Sequence, residues 1–455
     1  MTGFSHLLVV GIWALTLLYF IIWFVCSLRA RTTITVFSMI LIMQLFLPII
    51  LMYPFAFSEK NIRATSYWYY KYVDYVDQAF LISLLGMACF LIGCAAAAYR
   101  PASLEQGWIH RAAQSVGLLS RKLYLSVLIA VLLSIYLLMY KLGFFSDVNG
   151  LRSFSMENSG LRPVYNVFSS LMPIAICLSL FSFYNRRSTV TLVFLLLCLG
   201  AGLVSGSRWT TFGGVLLFAF AVLDINSNKS KPGSLLKFAF LGFLMMTVAM
   251  YVEDLRVQQY NPLVTLANLG DKIFYGNTFS DFRDTAWILS GWDHGYLFGK
   301  TQLSGLLSFI PSSLLPLRSE WSLGVFTTTQ VGLDSTMHPG LRPVVFGEAF
   351  FNYGYPGVMG FGFLYGYLIY KFHLFAQRSI AEIADRYVVR RNVLTAFILA
   401  NFTRNLMITA GFFYVYVVGG VLLAGYLVYK LNQKIMTGEE RVNDESNGNE
   451  RVHMV

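Results

Sequence analysis

The chain has 455 residues, of which 56% are hydrophobic and only 13% charged, with a mean hydropathy of +0.60. Soluble chains carry about a quarter charged residues, so this composition excludes a soluble globular protein and identifies an all-α polytopic membrane protein. The net charge of +11 is spread in short basic clusters between apolar spans, which is a topology signal and not a nucleic-acid patch.

Taken in chain order, apolar stretches long enough to span a bilayer fall near 5–28, 33–57, 79–98, 123–140, 164–184, 189–205, 210–225, 235–252, 344–370, 392–404 and 407–429. That predicts about 11 transmembrane helices at about 20 residues each. The first is preceded by no basic stretch and is too long for a cleaved signal segment, so it is expected to remain as a span. Basic residues follow alternate spans: Arg29 and Arg31, then Arg100, Arg111, Arg121 and Lys122, then Arg186 and Arg187. Lys229, Lys231 and Lys237 continue the series, followed by Lys371, Arg378, Arg386, Arg390 and Arg391, and by Lys430 and Lys434. All lie on one side if the N-terminus is outside, and that side is the cytoplasm.

The opposite face receives the loops 58–78 and 141–163, the turns Ser205–Arg208 and Asn401–Asn405, and a polar interruption of roughly 90 residues after Val252. In the first loop, Tyr67-Trp68-Tyr69-Tyr70-Lys71-Tyr72 reads as an interfacial aromatic belt, with a sugar-stacking surface as the alternative. Within the long interruption, Ile273–Ser290 and Leu303–Leu315 interleave apolar and polar residues, as short helices on a membrane surface do; Pro311 and Pro316 break the second. Core-like packing against the bundle and a mobile lid both remain open for it. The five cysteines all fall in apolar spans and read as small buried hydrophobes. Gly202 to Gly206 and Gly362 to Gly366 are small-xxx-small patterns that predict close helix packing.

Long interruptions without a scaffold of their own are usually functional, so candidate chemistry is sought there. Five arginines gather at that face: Arg208, Arg256, Arg283, Arg342 and Arg404. Singly, each reads as snorkelling or as an internal ion pair, with Asp281 or Asp284 able to satisfy Arg283. Together they predict an anionic ligand at membrane level, because the planar guanidinium fork matches phosphate oxygens. A lipid pyrophosphate carries its charge at that depth.

For group transfer to a hydroxyl, Glu348 is the candidate general base; its plain alternative is favourable placement at a helix N-terminus. His338 is the second candidate, against an ordinary loop histidine, and Asp281, Asp284 and Asp334 are lesser ones. No Asp-x-Asp pair, His-Glu-x-x-His helix or glycine-rich phosphate loop occurs at that face, so neither a metal site nor a cofactor is expected.

These features resemble the oligosaccharide repeat-unit polymerases of bacterial surface polysaccharides, the O-antigen polymerase (Wzy) type. The matching residues are Ser207-Arg208 in the hairpin, the large loop, the glycine-rich helix start from Gly347-Glu348 to Gly354-x-x-Gly357, and the late Arg404. The resemblance implies a GT-C-like inner-membrane glycosyltransferase, metal-independent, acting on undecaprenyl-pyrophosphate-linked glycans at the periplasmic face. By it, Arg208, Arg256 and Arg404 would bind the leaving pyrophosphate and Glu348 would deprotonate or orient the acceptor hydroxyl. The roles of Arg283, His338 and Arg342 are inferred from position. The expected organisation is membrane helices over 1–252, a large periplasmic loop over 253–343 between the eighth and ninth spans, membrane helices over 344–429 and a disordered cytoplasmic tail over 430–455. A chain-length regulator and a flippase are the expected partners, with the bilayer itself and no nucleic acid. The family layout often has more spans than predicted here. An O-antigen ligase shares the donor and is the main alternative. A flippase is disfavoured because the spans are nearly free of charge.

Overall fold

A computed structural model describes residues 3–29, 35–58, 60, 70–99, 162–204, 208–226, 261–276, 279–335 and 340–409, with parts of 129–140, 240–251 and 412–427. Among the described residues the chain is all-helical, without strands. Among the described residues, four helical stretches are long and apolar enough to cross a membrane: Ser5–Ser27, Val36–Phe57, Tyr70–Tyr99 and Val164–Arg186. Two shorter apolar helices, Thr189–Leu203 and Thr210–Ile225, follow them. The predicted spans at 123–140, 235–252 and 407–429 lie partly outside the described residues, as do the aromatic run at 67–69 and the tail wholly.

Helix α1 (Gly3–Arg29) is apolar almost throughout and ends on a basic residue. The next begins with a capping box, in which the Thr35 side chain accepts from the Ser38 N–H and the Ser38 hydroxyl bonds the Thr35 backbone. This α2 (Val36–Ile40) runs on as a π-helix over Leu41–Leu51. Pro48 lies inside it, and the wider turn accommodates a residue that cannot donate to the ladder. Helices α3 (Val76–Tyr99), α4 (Arg162–Arg186), α5 (Thr189–Val204) and α6 (Arg208–Ile225) complete the apolar series.

The segment after 260 is built from short helices: α7 (Pro262–Ala267), α8 (Leu269–Phe274), α9 (Asp281–Gly291), α10 (Lys300–Leu306), α11 (Pro316–Glu320) and α12 (Leu323–Val331). Of the two expected amphipathic stretches, the first divides between α8 and α9. Pro316 starts α11 at its first turn, where the missing N–H costs nothing. The turn between α10 and α11 is stapled by Arg318, whose guanidinium donates to the carbonyls of Ser308 (2.7 Å) and Ile310 (2.6 Å). Phe282, Ala286, Ile288 and Leu289 of α9 are buried in the main core, so this part of the segment packs as core and not as a detached lid.

Helices α13 (Gly347–Glu382) and α14 (Arg386–Met407) close the described fold. α13 lies along α3, and glycines on both let the backbones touch: a side chain at Gly366 would strike the Phe90 carbonyl, one at Gly362 the Gly86 carbonyl, and one at Gly93 the Phe363 carbonyl. The Gly362-to-Gly366 pattern thus has a partner. α13 is not one straight rod. Gly354 has φ 65° and ψ −154°, a region open essentially to glycine alone, and it makes a corner within the helix. Gly357, past the corner, lies against the Ala349 carbonyl (2.6 Å for an added Cβ), so the two glycines of Gly354-x-x-Gly357 serve one sharp turn. Of the cysteines, Cys89, Cys94, Cys177 and Cys198 are buried, and Cys26 is exposed.

Candidate functional site

The first turn of α9 carries Asp281, Arg283 and Asp284. Asp284 is buried, accepts from the Ser280 hydroxyl (3.1 Å) and lies 3.8 Å from Arg283 Nη2. Arg342, at the exit of the long segment, places Nη2 3.3 Å from Asp281 Oδ1 while its side chain stays 60% exposed. Arg404, on the last turn of α14, acts on the same Asp281 carboxylate. Burial pushes the Asp281 carboxyl above the usual carboxylate range, against the pull of Arg342 and Arg404. Burial also lifts Asp284 to about 6, with Arg283 opposing and the neighbouring Asp281 charge adding to the rise. Three guanidinium groups face two carboxylates, both of them pushed up by burial. The cluster is therefore net positive.

Beside it lies Glu348, in the first turn of α13 and only 1% exposed. A buried carboxylate needs compensating donors, and this one has three. Oε1 accepts from the hydroxyls of Thr301 (2.7 Å) and Thr409, and Oε2 accepts from the Thr409 N–H (2.9 Å). Asn352, one turn further along α13, donates to Thr301 Oγ1 (2.7 Å) and accepts from the Gly299 N–H (3.1 Å). Backbone bonds from Leu297 to Phe351 and from Phe298 to Asn352, each 3.0 Å, complete the join. Glu348 thus ties the start of α10, the start of α13 and the residues after α14 into one piece.

Thr285 bridges the two groups. Its hydroxyl donates to the Asp281 carbonyl (2.8 Å) and accepts from the Val344 N–H (2.9 Å), just before Gly347-Glu348. Of the residues singled out in the sequence, Arg283, Arg342 and Arg404 therefore gather around Asp281 and Asp284, with Glu348 adjoining. Arg208 begins α6, and its side chain is outside the described residues, as are Arg256 and His338 entirely. Thr301, Asn352 and Thr409 escaped the sequence reading. Asn352 had a signal, since it lies four residues after Glu348 on the same helical face. The two threonines are 47 and 61 residues away from Glu348, and nothing local marks them.

A family model described as O-antigen polysaccharide polymerase Wzy matches residues 2–282, more than half of the chain. The match spans the membrane helices up to the start of α9 and stops short of Glu348. No curated protein and no solved structure matches the chain.

Proposed function

As the chain belongs to the O-antigen polysaccharide polymerase family, glycosyltransferase-type polymerases of the membrane, we propose that it extends the glycan at the periplasmic face of the inner membrane. It transfers the growing chain from undecaprenyl pyrophosphate to the non-reducing sugar of a new lipid-linked repeat unit. The observation that carries this reading is the net-positive cluster of Arg283, Arg342 and Arg404 around Asp281 and Asp284. In this reading Arg342 and Arg404 exchange Asp281 for the leaving pyrophosphate, and Arg208 and Arg256 add to the same charge. Guanidinium groups held in place stabilise the negative charge that develops on the leaving group without reorganising at the moment of reaction. The pyrophosphate is already an activated leaving group, so no nucleotide is required; metal independence is what the family resemblance implies. Two lipid-anchored substrates are aligned by the same wall of helices, which supplies proximity.

Glu348 takes the orienting role. Both of its oxygens already accept hydrogen bonds from the protein. It holds the segment from Gly299 onward against α13, so that Arg342 and Arg404 stay in register. The wider layout is GT-C-like: about 11 spans, N-terminus periplasmic, C-terminus cytoplasmic, with 253–343 as the periplasmic loop. A chain-length regulator and a flippase act beside it.

The test is a gel of surface glycolipids from a strain lacking the gene. The ladder is expected to collapse to the acceptor bearing a single repeat unit. Loss of even that unit would move the protein to the flippase or ligase step. An unchanged ladder would remove the polymerase reading.

A further inference from the structure

Among the described residues, the carboxylates named so far leave the acceptor hydroxyl without a base, His338 lying outside them. Glu348 is sealed, and Asp281 and Asp284 are engaged with arginines. A second polar constellation stands at the outer ends of α1 and α3. Asp77, in the first turn of α3, is buried, and its two oxygens have different partners: the Tyr53 hydroxyl donates to Oδ1 (2.7 Å), and His6 Nδ1 lies 2.7 Å from Oδ2. With the carboxylate as acceptor, Nδ1 carries the imidazole proton and Nε2 keeps the lone pair. Among the described residues no group bonds Nε2. The His6 side chain is 43% exposed and that of Asp77 only 7%, so a fixed carboxylate orients a ring that opens outward. The edge of Phe57 braces it, with ring centroids 5.2 Å apart. A carboxylate on one imidazole nitrogen with the other nitrogen free is the arrangement of a general base.

This constellation is joined by ring packing to α9, the helix that carries part of the arginine cluster. The Tyr53 ring packs on Phe282, centroids 6.2 Å apart, and Phe282 lies between Asp281 and Arg283 on α9. A simple staple between α1 and α3 would account for the His6–Asp77 bond. It would not call for a half-exposed ring whose second nitrogen is left open.

Resting on the polymerase reading, we propose that His6 is the general base of the transfer, with Asp77 and Tyr53 as positioning residues. The acceptor hydroxyl oxygen forms a bond to the anomeric carbon of the donor chain, and its proton passes to His6 Nε2. The anomeric carbon–oxygen bond to the pyrophosphate breaks, and its electron pair leaves with the polyprenyl pyrophosphate. The imidazolium then returns the proton to water.

The protein is reconstituted in liposomes with the polyprenyl-pyrophosphate repeat unit extracted from cells lacking the polymerase, and initial rates of chain extension are read. His6→Ala is expected to fall by at least about 100-fold, the usual contribution of a positioned base, and added imidazole is expected to restore part of the rate in proportion to its concentration. His6→Gln keeps a donor to Asp77 and so holds the fold, yet is expected to be as slow. A wild-type rate in His6→Gln would overturn the assignment. A loss in His6→Ala that imidazole leaves untouched would also overturn it and make the pair a structural staple. Absence of polymer from the unmutated protein would instead overturn the polymerase reading, and this inference with it.

Discussion

At the scale of single residues, the site divides into a sealed carboxylate and an adjustable charge cluster. Glu348→Gln keeps the size of the side chain but either sets an amide donor against the Thr409 N–H or, turned to the Thr301 and Thr409 hydroxyls, takes away the acceptor of their protons. A buried donor facing a donor costs on the order of 1–3 kcal/mol. This variant is expected to lower the thermal midpoint in detergent and to shorten the glycan chains, and Asp334→Asn is expected to do much less; the reverse order on a glycolipid gel would deny Glu348 its positioning role. Asp284 adds a pH dependence. Its native pKa of about 6 lies above the ordinary 3.8, so the folded chain holds the proton more tightly than the unfolded one. Its contribution to stability is complete below about pH 4 and is lost as pH rises through 6. Asp284→Asn is therefore expected to flatten the fall in thermal midpoint between those values, and a parallel fall in wild type and variant would count against it. Glu348 was legible in the sequence because it follows a long polar stretch and opens an apolar run. The threonines that complete its site were not, because tertiary contact alone brings them there.

At the scale of elements, the crossing of α3 and α13 and the corner in α13 position everything else. Gly366 meets the Phe90 backbone of α3, whereas Gly360, in the same helix, faces open space. Gly366→Ala is expected to force the helices apart and lower the thermal midpoint by several degrees, with Gly360→Ala as the silent comparison; equal midpoints would deny the close crossing. Gly354→Ala is expected to cost about 1–3 kcal/mol for its backbone conformation, and to loosen the Glu348 network that the corner presents. The spacing of Gly362 and Gly366 was readable as a smooth helix face, since small residues at that interval leave a groove. Which helix fills the groove was not readable, because a pattern within one helix carries no information about its partner. The same limit hid the corner: an apolar stretch over 344–370 reads as one span, and only the positive φ at Gly354 turns it.

At the scale of the whole molecule, composition fixes the all-helical membrane class, because so few charges cannot cover a soluble surface. The orientation rests on the placement of basic residues, and the short helices of the long segment bear on it independently. Phe298, Phe309 and Leu314 are 78%, 62% and 76% exposed, with Leu303 and Leu306 also open, a surface that water would penalise and a bilayer interface would cover. The two ideas meet in one labelling experiment on a Cys26→Ser background, Cys26 being the exposed native thiol among the described residues. Leu314→Cys is expected to react with a membrane-impermeant maleimide from the periplasmic side of intact spheroplasts. Carrying an environment-sensitive dye, it is expected to shift its emission to the blue in nanodiscs. Glu382→Cys, at the other end of α13, is expected to react only after permeabilisation. The opposite pattern would turn the arginine cluster toward the cytoplasm, away from an outward-facing glycan carrier, and the positive-inside argument would fall with it. Labelling from the periplasm without the blue shift would keep the orientation and lift the segment off the bilayer, leaving the apolar strip to be covered by a protein partner.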